Sequence, residues 1–467
     1  MTFQLLAPGP KLANTHGWDT VSALRVSELN RAIREARSSP PGFSQAVDGC
    51  DGELSGEFGD WQIDAGGDGR LVHLSIPLRN LRARYGGDSW SGDGVATVEV
   101  QLHFLPHGPL QANGESQALR LVLRTSPPKR DLPIANVVDV ELRGGAEASF
   151  AISALVKLGL REWLCANLDS FTHVFATVSL SRAAAQGDFQ WLEPTYATYA
   201  FLAQPNPEDS VFAILCRTGG RPADGLIEQV SPYAIPDGSH VGYLLAPERI
   251  VEDMLAPGLP VALPGLAARD VEVDAGKLQV RVERTVQLAK FEHDGRTLHP
   301  KLERLEASLR DRELVMSSTT SVEVGAGIES VCESTTFYHI GLVTKQGGTQ
   351  TLGYRESRKA ISHDWIRKTT GAVVLEWMLT IGGLIAGIVG FWSGAGIVIA
   401  AVLLGGVITM KVVEAVHTDD APSIDLLVTR ATGAVAWTGG EGFRLTAAEL
   451  NGALQLGGEF AAKQGPR

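Results

Sequence analysis

Apolar residues recur along this chain with two different periods. Val26, Leu29, Ile33 and Ala36 return every three or four positions, which places them on one stripe of a helix. Gly17-Trp18-Asp19-Thr20 precedes them and predicts the helix start, with Asp19 or Thr20 as N-cap. Arg25, Arg31, Arg34 and Arg37 lie around the stripe, and Pro40-Pro41 is the expected stop. Phe150 to Leu168 predicts a second, mostly apolar helix. Pro247 to Leu255 predicts a third, with proline in its first turn and Ile250, Val251, Met254 and Leu255 on one side.

The other period is two. Val98, Val100, Leu102 and Phe104 alternate with Thr97, Glu99, Gln101 and His103. Val72, Leu74, Ile76 and Leu78 alternate with less apolar neighbours, and Leu119, Leu121 and Leu123 flank Arg120 and Arg124. Val138, Val140 and Leu142 flank Asp139 and Glu141, and Leu278, Val280 and Val282 stand against Lys277, Gln279, Arg281 and Glu283. Such alternation gives each strand one apolar and one wet face, the mark of antiparallel sheet. Further strand-like runs cover 171–180, 197–202 and 211–216. A helix followed by amphipathic strands thus occurs twice, near 18–142 and 247–340. The expected division is a first module over 1–230 and a second over 231–467.

One window follows neither period. Trp377 to Met410 is 34 residues without a charge, bounded by Glu376 and Lys411. A bilayer span needs about 20 apolar residues, so one tilted helix fits. Gly390–Gly396 interrupts the run and leaves arms of about 14 residues, a length more typical of buried or re-entrant helices. Gly382, Ala386, Gly390 and Gly394 form a small-residue ridge that permits close helix contact. Three readings remain: a hairpin over 372–416 packed on the protein, a segment that inserts conditionally, or a transmembrane helix. If it engages a bilayer, Leu384, Ile385, Ile388, Phe391, Trp392 and Ile397 are the candidates.

Composition narrows the function. The 467 residues carry 53 acidic and 41 basic side chains, a net charge of −12. That balance argues against nucleic acid as a partner. Cys50, Cys165, Cys216 and Cys332 lie far apart, which excludes a disulfide scaffold or a cysteine zinc site and fits a reducing compartment. The first residues lack a basic region followed by a long apolar run. The expectation is a cytoplasmic protein of the producing cell, released, if at all, without a signal peptide. No H-E-x-x-H, G-x-S-x-G or G-x-x-x-x-G-K-[ST] is present. His293 and His299 flank turn residues, Asp48, Asp51 and Glu53 sit in a glycine-rich loop, and Asp64–Gly69 lacks calcium-loop spacing. No metal, cofactor or catalytic residue is expected.

Three blocks carry a resemblance. Asn14-Thr15-His16-Gly17-Trp18-Asp19-Thr20-Val21 resembles the opening of the clostridial P-forty-seven proteins, encoded beside OrfX proteins in neurotoxin gene clusters. Phe175-Ala176-Thr177-Val178 with Gly187-Asp188-Phe189-Gln190-Trp191-Leu192 and Pro194 is the second block. Gln229-Val230-Ser231-Pro232, Ala234-Ile235-Pro236 and Gly238-Ser239 form the third. The resemblance implies an α+β fold of the TULIP superfamily. In that fold long curved antiparallel sheets each wrap a long helix in an elongated two-module architecture, and lipids or other apolar ligands bind between helix and sheet. On this reading Val26, Leu29 and Ile33 from the helix, and Val98, Val100, Leu102 and Phe104 from the sheet, are the lipid-contacting candidates. The implied function is non-catalytic: a lipid-binding accessory of a bacterial toxin or secreted assembly, with a membrane surface and toxin-cluster proteins as possible partners. The alternatives are a scaffold whose groove is plugged and which partners the products of neighbouring genes, and an enzyme with an unrecognised site.

Overall fold

The computed structural model describes residues 11–107, 114–120, 135–144, 147–181, 189–262, 266–288, 290–293, 296–325, 327–345, 347–368 and 423–460. The apolar window 377–410 and the alternation at Leu121 and Leu123 lie outside the described residues. The rest is mostly antiparallel sheet with few helices.

A short central strand organises the largest sheet. Thr20–Arg25 pairs with Val211–Thr218 on one side and Val241–Leu245 on the other. Val241–Leu245 pairs with Leu454–Phe460, which pairs with Phe443–Leu450. A single bridge, Gly341 to Glu449, joins Phe443–Leu450 to the long strand Ile328–Thr344. From there the sheet runs through Glu313–Gly325, Pro300–Arg310 and Gln279–Val282, while Gln350–Lys368 pairs with Ile328–Thr344. A strand from each end of the described chain therefore lies near the middle of one sheet.

Thr20–Arg25 corrects one sequence expectation. These residues are strand, and the helix begins only at Val26 with Arg25 as a cap that makes no side-chain bond. The strand has its own alternation. Val21 and Ala23 face one cluster, and Leu24 belongs to the cluster on the other face. The helix Val26–Ala36 ends with Arg37 in the left-handed region, ahead of the prolines. Its buried Asn30 exchanges two hydrogen bonds with the backbone of Ile63, at 2.9 and 2.8 Å, and so pins the helix to the strand Gln62–Asp64.

A second sheet runs in the order Ala135–Gly144, Asp88–Val100, Val72–Tyr85, Gly52–Phe58, Gly42–Val47. The helix Phe150–Asn167 lies across it, capped by Ser149, whose hydroxyl accepts from the Ile152 amide. Gly159 lets the helix approach, because a Cβ there would stand 1.9 Å from Leu54 Cδ2. In Ala135–Gly144 a register shift between Val137 and Asp139 overrides the expected face. Ala135 and Val137 are buried, and Val138 is 41% exposed. The third helix is Pro247–Ile250, Val251–Leu255 and Ala256–Ala262, with a π turn in the middle stretch. Pro260 follows and cannot donate to Ala256.

Three apolar clusters result. The first packs both N-terminal helices against the second sheet and the inner face of the central strands. The next gathers residues of the C-terminal strands and third helix, together with Phe189 and Leu192. The smallest covers the outer face of the central strands with Val230, Ala234 and Ile235.

Candidate functional site

The seven residues expected to contact a ligand are brought together in the first cluster. Val26, Leu29, Ile33, Val98 and Leu102 are 0% exposed, Val100 is 2%, and Phe104 packs against them partly buried. A void wide enough for an acyl chain would leave accessible area on its walls, and five of these side chains have none. These positions are enclosed within the first cluster and leave no accessible space beside them. Leu384, Ile385, Ile388, Phe391, Trp392 and Ile397 lie outside the described residues. Among the described residues no helix is long and apolar enough to cross a membrane.

Open apolar space lies elsewhere, where the two large clusters meet over the central strands. A pocket of about 200 Å³ there is floored by Ser22, Val241, Gly242 and Tyr243. Its walls include Val435, Trp437, Phe443 and Phe460. Val241 and Trp437 belong to the first cluster and Tyr243 to the other, so the pocket is a seam between cores. Gly433 at the end of the helix Asp425–Gly433, and Gly440 and Gly442 in the loop before Phe443, add no side chain to it. It offers aromatic faces and the hydroxyl-bearing residues Ser22, Tyr243 and Thr432, the composition of a site for a small apolar group with one polar end. Sequence reasoning missed it because its walls come from residues 22, 241–243 and 432–460, which no local period connects.

Beside the pocket lies a compact ionic junction. Asp19 is 1% exposed. One of its oxygens accepts from Arg217 at 2.9 Å and Arg221 at 3.2 Å, and the other accepts from the Thr218 amide at 2.8 Å. Arg221 also pairs with Glu252. Arg249 stands 3.0 Å from Asp253, and its guanidinium lies over the Trp191 ring at 5.1 Å. Three carboxylates thus meet three guanidiniums and their charges cancel. Burial pushes the Asp253 carboxyl up and the Arg249 guanidinium down from their ordinary values. Glu252 and Asp253 sit on the π turn, which turns both toward the arginines.

This junction draws on the sequence blocks. Asn14–Asp19 is a tight turn in which His16 and Gly17 take positive φ and the Asn14 side chain accepts from the His16 amide at 2.6 Å. It delivers Trp18 and Asp19 to opposite sides. Trp18 donates to the Ile227 carbonyl at 2.9 Å and stacks on Tyr196. Asp19, expected as a helix cap, instead anchors the arginines. Trp191 of the second block lies under Arg249, and Val230, Ala234 and Ile235 of the third cover the central strands. Asp19 and Trp191 take part in the junction, while Phe175, Ala176 and Val178 of the second block lie in the first cluster. The residues of the blocks are ion pairs and packing, without an activated nucleophile: burial holds the nearby Cys216 thiol up at about 12. Among the described residues no three acidic, histidine or cysteine side chains are grouped to hold a metal.

Comparison with known proteins agrees over nearly the whole chain. The profile of the OrfX-like family, described as Protein OrfX2/OrfX3/P47, matches residues 15–458. Protein OrfX3 of Paraclostridium bifermentans is 28% identical, over 97% of this chain and 99% of the relative. Protein OrfX3 of Clostridium botulinum (strain Kyoto / Type A2) is 29% identical, over 95% and 98%. The solved structure of P47 from Clostridium botulinum A2 superposes with a TM-score of 0.67 at 15% identity, covering 96% of this chain and 98% of that one. P47 of Clostridium botulinum E1 gives 0.64 at 14%, covering 95% and 99%. The chain belongs to the OrfX-like family.

Proposed function

We propose that this protein is a non-catalytic accessory component of a bacterial toxin gene cluster and that it takes up an apolar ligand of TULIP type. The observation that carries this reading is the seam pocket, with Tyr243, Trp437, Phe443 and Phe460 around about 200 Å³. That volume suits a short aliphatic segment or one ring rather than a whole lipid. Each methylene buried there contributes about 0.8 kcal/mol. The uncharged window Trp377–Met410 supports a role at a membrane surface.

Native mass spectrometry after mild extraction, with titration of a medium-chain fatty acid, tests the reading. Bound fatty acid is expected, and Gly433→Phe, where an added side chain meets nothing within 4 Å, is expected to abolish it. The reading fails if no apolar molecule binds and no liposome is engaged at any pH. The full enclosure of Val26 and Val98 supports a second reading, in which the fold serves as a scaffold for proteins of neighbouring genes. A stoichiometric protein partner captured without lipid decides for that one.

A further inference from the structure

A second opening, of about 510 Å³, lies at the other end of the strand Phe443–Leu450 from the seam and differs from it in kind. It forms where Ile328–Thr344 passes from its pairing with Glu313–Gly325 to its single bridge with Phe443–Leu450. Two glycines directly opposite each other, Gly341 and Gly353, make its floor. Gly341 leaves its part of the floor as bare backbone, while Val343 Cγ2 lies 2.5 Å from where a Cβ on Gly353 would stand. The paired positions on either side do carry side chains, His339 opposite Arg355 and Val343 opposite Thr351.

The walls are charged and unequally so. Arg312 is held in place: its Nε donates to Asn451 Oδ1 at 2.9 Å and an Nη to the Lys11 carbonyl at 3.2 Å. Its own carbonyl accepts from His339 Nδ1 at 3.0 Å, which fixes that ring with the Nε2 lone pair outward when neutral. Arg355 is exposed and makes no hydrogen bond or ion pair among the described residues. Glu449 stands across from Gly341 and is likewise unpaired among the described residues. In a chain of net charge −12, one cleft therefore keeps two guanidiniums and an imidazole beside one carboxylate.

We propose that this cleft binds a small phosphorylated polyol or sugar. Its phosphate bridges Arg312 and Arg355, a hydroxyl donates to Glu449, and its carbon frame lies over Gly341, beside Val343. Two guanidiniums match a phosphate dianion better than a lone carboxylate. The acceptors Glu449 and neutral His339 Nε2 match the hydroxyls that such a ligand carries. The site is separate from the seam pocket, so either assignment stands without the other.

Titration calorimetry of the full chain with glucose 6-phosphate tests it, with glucose as control. Binding of the phosphate ester and at least tenfold weaker binding of glucose are expected. Arg355→Gln, at an exposed side chain without a partner, is expected to weaken binding at least tenfold while leaving the thermal midpoint unchanged. Gly341→Leu is expected to block binding by filling the floor; its backbone accepts a side chain, the nearest atom to an added Cβ being the Ala448 carbonyl oxygen at 3.7 Å. A parallel arm uses phosphatidylcholine vesicles with and without phosphatidylinositol 4-phosphate. Binding of those vesicles, lost in both variants, assigns the phosphate to a lipid headgroup; binding of the free ester alone assigns it to a soluble ligand. Failure of both probes overturns the proposal, as does binding that both variants retain.

Discussion

The two large cores are built from different side chains. Around the N-terminal helices ring packs on ring: Phe43 on Phe58 at 4.6 Å, Trp61 on Phe171 at 4.9 Å, Tyr199 on Phe212 at 5.6 Å. The C-terminal core is leucine, valine and isoleucine with few aromatics, among them Phe189, Tyr243 and Tyr338. Large rigid rings fill the uneven gap between a helix and a sheet. Between hairpin strands the spacing is regular, and branched aliphatics suffice. Both regions enclose polar atoms without hydrogen-bond partners, Trp61 Nε1 and His173 Nε2 in the aromatic core and Ser321 Oγ in the C-terminal strands, whose charged pairs, such as Arg367 with Glu303 and Glu329, lie outside.

If that contrast is right, truncation should be costliest in the aromatic core. Trp61→Ala, at 0% exposure, is expected to destabilise by about 3–5 kcal/mol, read from urea unfolding. A cost below about 1 kcal/mol would mean that the rings are loosely held. At the junction between cores, Asp19→Ala leaves Arg217 and Arg221 short of their buried partner. A loss of about 3–5 kcal/mol is expected by the same measurement, and a loss insensitive to salt would mark the junction as water-excluded.

His173 gives the aromatic core a dependence on pH. Burial lowers it from 6.5 to about 4, with only Ser38 Oγ near its Nδ1, at 3.1 Å. The folded value is depressed, so its contribution is full above pH 6.5. It is lost as pH falls from 6.5 toward 4, amounting to about 3 kcal/mol. His173→Phe is expected to flatten stability across that range, and an unchanged slope would place the acid sensitivity elsewhere. The smallest effect belongs to the outer ladder. Arg367→Gln is expected to cost less than about 1 kcal/mol at low salt and nothing measurable at high salt, because Arg367 is half exposed.

Much of the first core was legible from the pattern. The stripe Val26–Leu29–Ile33 and the alternation through Val98 and Val100 each marked the buried face of its own element, because helical and strand periods depend on neighbours in the chain. The break at Val137–Asp139 was not legible, since a single extra residue depends on how the partner strand ends. Asp19 was misassigned for a related reason. An aspartate before an apolar run has the local signature of a cap, and only Arg217 and Arg221, some 200 positions away, reveal its role.

The sequence by itself determined the family, the two periods, the acidic surface and most elements of the aromatic core. Each of these is a property of composition or of residues within a few positions of one another. Only the tertiary structure decided that Leu454–Phe460 closes beside Val241–Leu245, that Val26 and Val98 are fully enclosed, and that open space lies at Tyr243 and at Gly341. Those outcomes depend on volumes shared among side chains far apart in the chain, and a cavity is what such packing leaves over.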